Sequence, residues 1–298
     1  MGDALHSSAS TPLINLDDYV TFEALEDGFT VSLSRNACEY CVDGDNNWIS
    51  LSAGTSTSSI NIGQTLSFRA SISPASSYGI GTFTLGKKCN VRGNAMALLF
   101  GDSGKDNFSL NGKNYAFQKL FQNATNLQSV SENFLPATTL ATYCYQYTFD
   151  GCSGLTSVPT LPATSITTYC YQYMFRNCTS LVTAQGTLPA TTLQQYCYQY
   201  MFYGCSSLTT APILPATSLS QRYCYQYMFQ NCSKLNYIKA MFTTDPGSSN
   251  STNQARYTYN WVSGVASSGT FVKNSSASWN RTGAHAVPNG WTTQTASS

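Results

Sequence analysis

LPATTLATYCYQYTFDGCSGL, residues 135–155, returns as LPATSITTYCYQYMFRNCTSL at 161–181, LPATTLQQYCYQYMFYGCSSL at 188–208 and LPATSLSQRYCYQYMFQNCSKL at 214–235. Self-similarity at a fixed spacing is the signature of a repeat architecture, in which each unit buries its apolar face only by stacking on the next. The first cysteine of each unit is Cys144, Cys170, Cys197 and Cys224, a period of 26 to 27 residues. A degenerate unit precedes them. In NYAFQKLFQNATNL (114–127), Phe117, Phe121 and Leu127 align with Tyr145, Phe149 and Leu155, while Ala116 and Ala124 replace both cysteines together.

Within a unit, Leu-Pro fits an extended segment, and the following Thr or Ser offers an N-cap. The run Leu140–Phe149 is free of Gly and Pro, which predicts a helix of about three turns. Gly151 or Asn177 would close it in a left-handed conformation, and LTSVP, LVTAQ and LTTAP read as short strands. The expected fold class is a mixed α/β repeat: an N-terminal all-β sandwich-like domain, a short solenoid, and a β-rich C-terminal cap. The corresponding spans are a tail at 1–18, the all-β domain at 19–112, the repeats at 113–242 and the cap at 243–298.

The eight repeat cysteines read as small core residues. On a helix Cys144 and Cys152 would lie about 12 Å apart. Their equivalents on stacked helices would lie about 8 to 10 Å apart, and both separations exceed the ~7 Å Cα reach of a disulfide. The joint replacement by Ala116 and Ala124 fits, since alanine can stand in for a buried thiol but not for a bridge or a metal ligand. Cys38 and Cys41, with Cys89 as a third thiol, suggest half a zinc site, yet a fourth ligand is missing and strand positions three apart face opposite sides. Neither a metal nor a cofactor is expected.

The same helical reading puts Leu140, Cys144, Tyr145 and Phe149 in the core and leaves Tyr143, Gln146 and Tyr147 outside. Tyr143 and Tyr147 recur as Tyr169 and Tyr173, Tyr196 and Tyr200, and Tyr223 and Tyr227. Stacked units would align them in two parallel rows. Each ring could cover the next as inter-repeat packing, or the rows could form a stripe that binds a glycan or protein, because tyrosine gives large contact area at low entropy cost. These eight tyrosines are the candidate binding surface.

The flanks differ from the repeats. VTFEA, FTVSLS, NWISLS, SSINI, TLSFRA and GTFTL alternate like strands between about Tyr19 and Asn94, with Asp43-Gly44 as a hairpin turn and 74–79 as a loop. After Phe242, TTDPGSSNSTNQ is a loop, and YNWVSGV, GTFVKN and GWTTQ read as strands anchored by Trp261, Phe271 and Trp291.

Charged residues are only 10% of the chain, with 15 basic against 14 acidic. Such a balance gives no electrostatic footprint for nucleic acid or an anionic membrane, and no segment reaches the ~18 apolar residues of a membrane span. The two histidines, His6 and His285, lie near the ends, and no nucleophile, base or paired-carboxylate spacing stands out. Glu23, Glu26 and Asp27 read as a solvated hairpin face. The chain is expected not to be an enzyme. The N-terminus lacks the basic start and apolar run of a secretory signal. Met1 therefore favours a protein assembled in the cytoplasm and released by lysis over a secreted one with its leader removed.

At CYQYMFRNCTSL and its sister copies the sequence resembles the BspA-type leucine-rich repeat family of bacterial surface proteins, common in Bacteroides. The wider layout, TFEALEDGFTVSLSRN, SYGIGTFTLGKKCNVRGNAMALLFGD, NWVSGVASSGTFVKN and GWTTQ, resembles proteins of gut Bacteroides and of their tailed, crAss-like phages. The resemblance implies surface display, adhesion or virion attachment, and it carries no catalytic or ligand residue. The leading expectation is a fibre or decoration protein on the virion surface. Its N-terminal tail would join other virion proteins and its repeats would touch a host glycan or protein; a homotrimer is compatible with the low charge. The alternatives are a bacterial cell-surface adhesin and an accessory module of a carbohydrate-active enzyme.

Overall fold

The structure, a computed structural model, describes residues 12–73, 79–184, 186–246 and 257–296. Residues 1–11, with His6, most of the expected 74–79 loop and most of the 243–254 loop lie outside the described residues. The first part of the chain folds into β1 (Val20–Ala24), β2 (Val31–Leu33), β3 (Cys38–Val42), β4 (Ile49–Leu51), β5 (Thr65–Arg69), β6 (Phe83–Leu85) and β7 (Cys89–Gly93). A six-stranded sheet has the order β4-β3-β5-β1-β7-β8, where β8 is Leu127–Val130, and β2 pairs with β6 in a second sheet. Phe22 and Phe68 from the large sheet meet Phe83 from the small one at ring separations of 5.1 and 5.5 Å, so alternate residues of both sheets converge on one aromatic core.

Five of the six expected strand segments are strands. SSINI is not; it contributes only a bridge between Ile60 and Phe29. β3 and β7 were not expected: CEYCV was read for its thiols and CNVRG alternates only weakly. Asp43-Gly44 is the turn at the end of β3, with positive φ at both residues and Asp45 N–H donating to Val42 O, as a primed turn requires.

β8 belongs to the degenerate unit, yet it pairs in parallel with β7. Phe121 of the same unit packs against Phe22 and Phe83. The core therefore runs without a break from the first sheet into the repeats.

The expected repeat helix is absent. The one α-helix among the described residues is α1 (Ala97–Phe100), outside the repeats. Leu140–Phe149 is instead a chain of overlapping four-residue turns. Cys144, Gln146, Thr148, Asp150 and Cys152 each donate their N–H to the carbonyl three residues back. The residues between them, Tyr143, Tyr145, Tyr147, Phe149 and Gly151, donate to Thr168, Cys170, Gln172, Met174 and Arg176 of the next coil. Every N–H from Tyr143 to Cys152 is satisfied, but half of the bonds join neighbouring coils. A helix would keep all of them local.

Every fourth residue of this run has φ near +60°: Tyr143 and Tyr147, then Gly151 at +74°. Each is third in its turn, the position that needs positive φ in a type II turn. The period is thus 4.0, close enough to 3.6 to imitate a helix in the spacing of like residues. Tyr145 and Phe149, four residues apart, share one inward-facing position of that period. They give core stacks of Phe117, Tyr145, Tyr171, Tyr198 and Tyr225, and of Phe121, Phe149, Phe175, Phe202 and Phe229, with centroids 5.4–5.8 Å apart along both.

The last left-handed position reads Asn123, Gly151, Asn177, Gly204, Asn231, Gly264 from coil to coil. A Cβ at Gly151, Gly204 or Gly264 would collide with Oδ1 of Asn123, Asn177 or Asn231 respectively. Each asparagine fills the space its glycine neighbour leaves.

The strands expected after each turn run shrink, in the middle units, to single parallel bridges such as Thr183–Thr210 and Thr210–Tyr237. They lengthen again in β9 (Tyr237–Ala240), which with β10 (Thr270–Lys273) and β11 (Thr292–Thr295) forms a parallel sheet in the order β11-β10-β9. GTFVKN and GWTTQ are therefore strands as expected. YNWVSGV is not: it forms another coil of turns, in which Tyr257, Tyr259, Trp261 and Ser263 accept from Tyr225, Tyr227, Phe229 and Asn231. Trp261 takes the core position of Phe229.

All eleven cysteines are buried and free. Core placement of the eight repeat thiols is correct, although the helix used to argue for it does not exist. The second thiol of each unit also bonds: Cys152, Cys178, Cys205 and Cys232 donate to Phe121 O, Phe149 O, Phe175 O and Phe202 O, at 3.0–3.2 Å. On β3, Cys38 joins the aromatic core while Cys41 is buried on the opposite side.

Candidate binding face

The eight candidate tyrosines come together. Tyr143, Tyr169, Tyr196 and Tyr223 stack at 4.5–4.9 Å with planes within 15°. Tyr147, Tyr173, Tyr200 and Tyr227 stack at 4.4–4.6 Å with planes within 22°. These are the residues held at φ near +60°. The left-handed backbone, not a helix face, turns them outward, and all eight are half-buried.

Stacking decides what the rows can offer. Inside a row both faces of each ring are taken by its neighbours, so edges and phenol hydroxyls are what reach solvent. Three of the four ends also meet a further side chain. Tyr115, in the degenerate unit, extends the first row at 4.7 Å. Lys119 Nζ lies 5.8 Å above the Tyr147 ring at one end of the second row, and the Tyr259 ring meets Tyr227 edge-on at 5.4 Å at the other. Tyr115 was missed as a row member although NYAFQ aligns it with Tyr143; the lysine had no such signal.

Gln146, expected outside, is buried. It donates from Nε2 to Oε1 of Gln172 and accepts from Gln118, and the ladder continues through Gln199 to Gln226. Stacked identical amides satisfy one another along the repeat axis, as asparagine and glutamine ladders do in stacked strands. A related row carries the charges: Arg176 forms a two-pronged ion pair with the buried Asp150 at 2.8 and 2.9 Å, and its guanidinium lies 4.9 Å from the Tyr173 ring centre.

Burial raises the phenol of Tyr147 to about 12, with the neighbouring Tyr173 adding to the shift. Burial also raises Tyr143, Tyr169, Tyr173, Tyr200 and Tyr227. These phenols are neutral donors and acceptors at any physiological pH.

His285 has a structural position: Nδ1 accepts the Asn260 N–H at 2.9 Å and the ring stacks on Tyr259. Among the described residues no group of three or more His, Cys, Asp or Glu side chains could hold a metal ion, and no helix is long and apolar enough to cross a membrane.

A β-rich fold carrying stacked sequence repeats with an ordered tyrosine face defines the class of protein. Residues 113–251 match the BspA type leucine-rich repeat region, in six copies. Neither a curated protein nor a solved structure matches the chain.

Proposed function

We propose that the chain is a non-enzymatic display protein whose solenoid presents the two tyrosine rows to another surface, a host cell-surface glycan or protein. In this reading it is a fibre or decoration component of a Bacteroides-type tailed phage, joined to other virion proteins through its N-terminal residues, with the last strands capping the solenoid. The observation that carries the binding part is the pair of rows itself. Eight large, uncharged, amphipathic side chains are held rigid before any partner arrives, so little side-chain entropy remains to be lost on contact. The BspA-type match supports surface adhesion in general, and it fits a bacterial cell-surface adhesin equally well.

Two experiments separate these ideas. Tyr173→Phe with Tyr200→Phe keeps the stacking and removes two hydroxyls. Loss of adsorption to host cells at unchanged melting temperature supports the binding role; unchanged adsorption refutes it. Mass spectrometry of purified particles and of outer-membrane fractions tests the location, and recovery only from the membrane would replace the virion reading by the adhesin.

A further inference from the structure

A second candidate site lies away from the tyrosine rows, on the side of the large sheet opposite the aromatic core. Ser50, Glu39 and Arg69 stand in line across β4, β3 and β5, as the register pairs Glu39 with both. The segment from α1 through the 3-10 turn Gly101–Asp106 runs beside them and brings Phe100 and Asp102 to the same place. Together with Ser71 these side chains line a depression of about 620 Å³, within the usual size range of small-ligand pockets.

The charged groups are fixed in advance. Arg69 donates Nε to Glu39 at 2.9 Å and Nη1 to both oxygens of Asp102 at 2.8 and 3.0 Å. Its guanidinium lies 4.1 Å from the Trp48 ring centre, and Tyr19 donates its hydroxyl to Asp102 at 2.9 Å. Five side chains from separate segments hold one another, yet the network is not closed. Arg69 Nη2, Glu39 Oε1 and the hydroxyls of Ser50 and Ser71 take no part in these bonds. The carboxylates of Glu39 and Asp102 remain 43% and 65% exposed.

The free groups narrow the ligand. A phosphate would face two carboxylates, and a metal ion would face a guanidinium, so each meets like charge. What remains is one donor, one acceptor and two hydroxyls that do either, beside the Phe100 ring. That set matches adjacent hydroxyls, each of which both donates and accepts, on a molecule with an apolar C–H face. We propose that this depression binds a neutral pyranose unit of a glycan. The assignment deepens the display reading and rests on it, by giving the protein a sugar-binding site separate from the tyrosine rows.

The test uses the full chain titrated with neutral methyl glycosides of glucose, galactose, mannose and fucose, followed by ligand-observed NMR, with inorganic phosphate and a simple diamine as controls. Saturable binding of at least one glycoside is expected. Ser50→Ala with Ser71→Ala, which breaks no bond within the network, should weaken it about tenfold or more, and Glu39→Gln should act in the same direction. No glycoside binding, binding unchanged by both variants, or binding of phosphate or diamine alone would overturn the proposal. Host adsorption of the same variants separates the two readings. Adsorption lost with the paired tyrosine changes but kept with Ser50→Ala and Ser71→Ala, together with no glycoside binding, removes the sugar site and leaves display intact.

Discussion

At the scale of single residues, the unusual fact is a pair of tyrosines with positive φ repeated in each of the four full repeats. Such a backbone costs an ordinary L-residue about 1–2 kcal/mol, and each stacked aromatic contact returns about 0.5–1.5 kcal/mol beyond its buried area. An interior member such as Tyr200, with neighbours at 4.6 and 4.4 Å on either side, offsets its strain through two contacts. The strain and the stacking can be separated by substitution. Tyr200→Ala loses the stacking and keeps the strain, whereas Tyr200→Gly loses both. We expect both to lower the melting temperature, with glycine the milder by about 1 kcal/mol, as removal of the strain implies. In a helix the order reverses, because glycine costs about 1 kcal/mol more than alanine there. Thermal unfolding of the two variants checks this directly.

At the scale of the element, the coil explains why the repeat was legible and its backbone was not. The period, the inward Tyr145 and Phe149, the outward tyrosines and the core thiols all follow from which residues recur, and recurrence is visible in a sequence. Helix and turn chain share the i, i+4 relation, so spacing alone could not separate them. Two signs did favour turns. Gly151 and Asn177 continue the four-residue spacing of the tyrosines, and in a YCYQY core Gln146 is the single good helix former. Gln146 was misplaced for the same reason, since a helix turns by 100° per residue and the turn chain does not. The pocket at Glu39, Arg69 and Asp102 was illegible because cross-strand register and a distant segment assemble it. The coil also fixes thiol chemistry. Burial raises Cys170, Cys205 and Cys224 to about 12, and it raises the other repeat thiols too. Native protein near pH 8 should leave these eight unreacted towards an aromatic disulfide reagent, while all eleven cysteines should titrate in denaturant. Rapid labelling of repeat thiols in the native state would contradict the packing described.

At the scale of the whole molecule, β7 pairing with β8 and Phe121 packing on both Phe22 and Phe83 make the first sheet and the repeats one structure. A single cooperative unfolding transition is expected in calorimetry. Among the described residues, its pH dependence has one identifiable source near neutrality. Burial lowers the pKa of His285, and its Nδ1 is already an acceptor. An unfolded histidine titrates near 6.5, roughly its model-peptide value. As pH falls below that, the unfolded chain binds a proton that the folded one resists, so this contribution is full above about pH 6.5 and is lost on acidification. Melting temperature measured from about pH 7 to 5 should fall, and His285→Asn should flatten that part of the profile. An identical slope in the variant would assign the effect elsewhere.

The asparagine over each glycine has a consequence for how such a chain can grow. Asn123, Gly151, Asn177, Gly204, Asn231 and Gly264 form a two-letter alphabet in strict alternation, so the molecule distinguishes odd coils from even ones. Removing residues 188–213 would set Asn177 against Asn231, two bulky letters where one is tolerated. Removing 161–213 would set Gly151 against Asn231 and restore the alternation. The shorter protein should therefore melt at the higher temperature of the two.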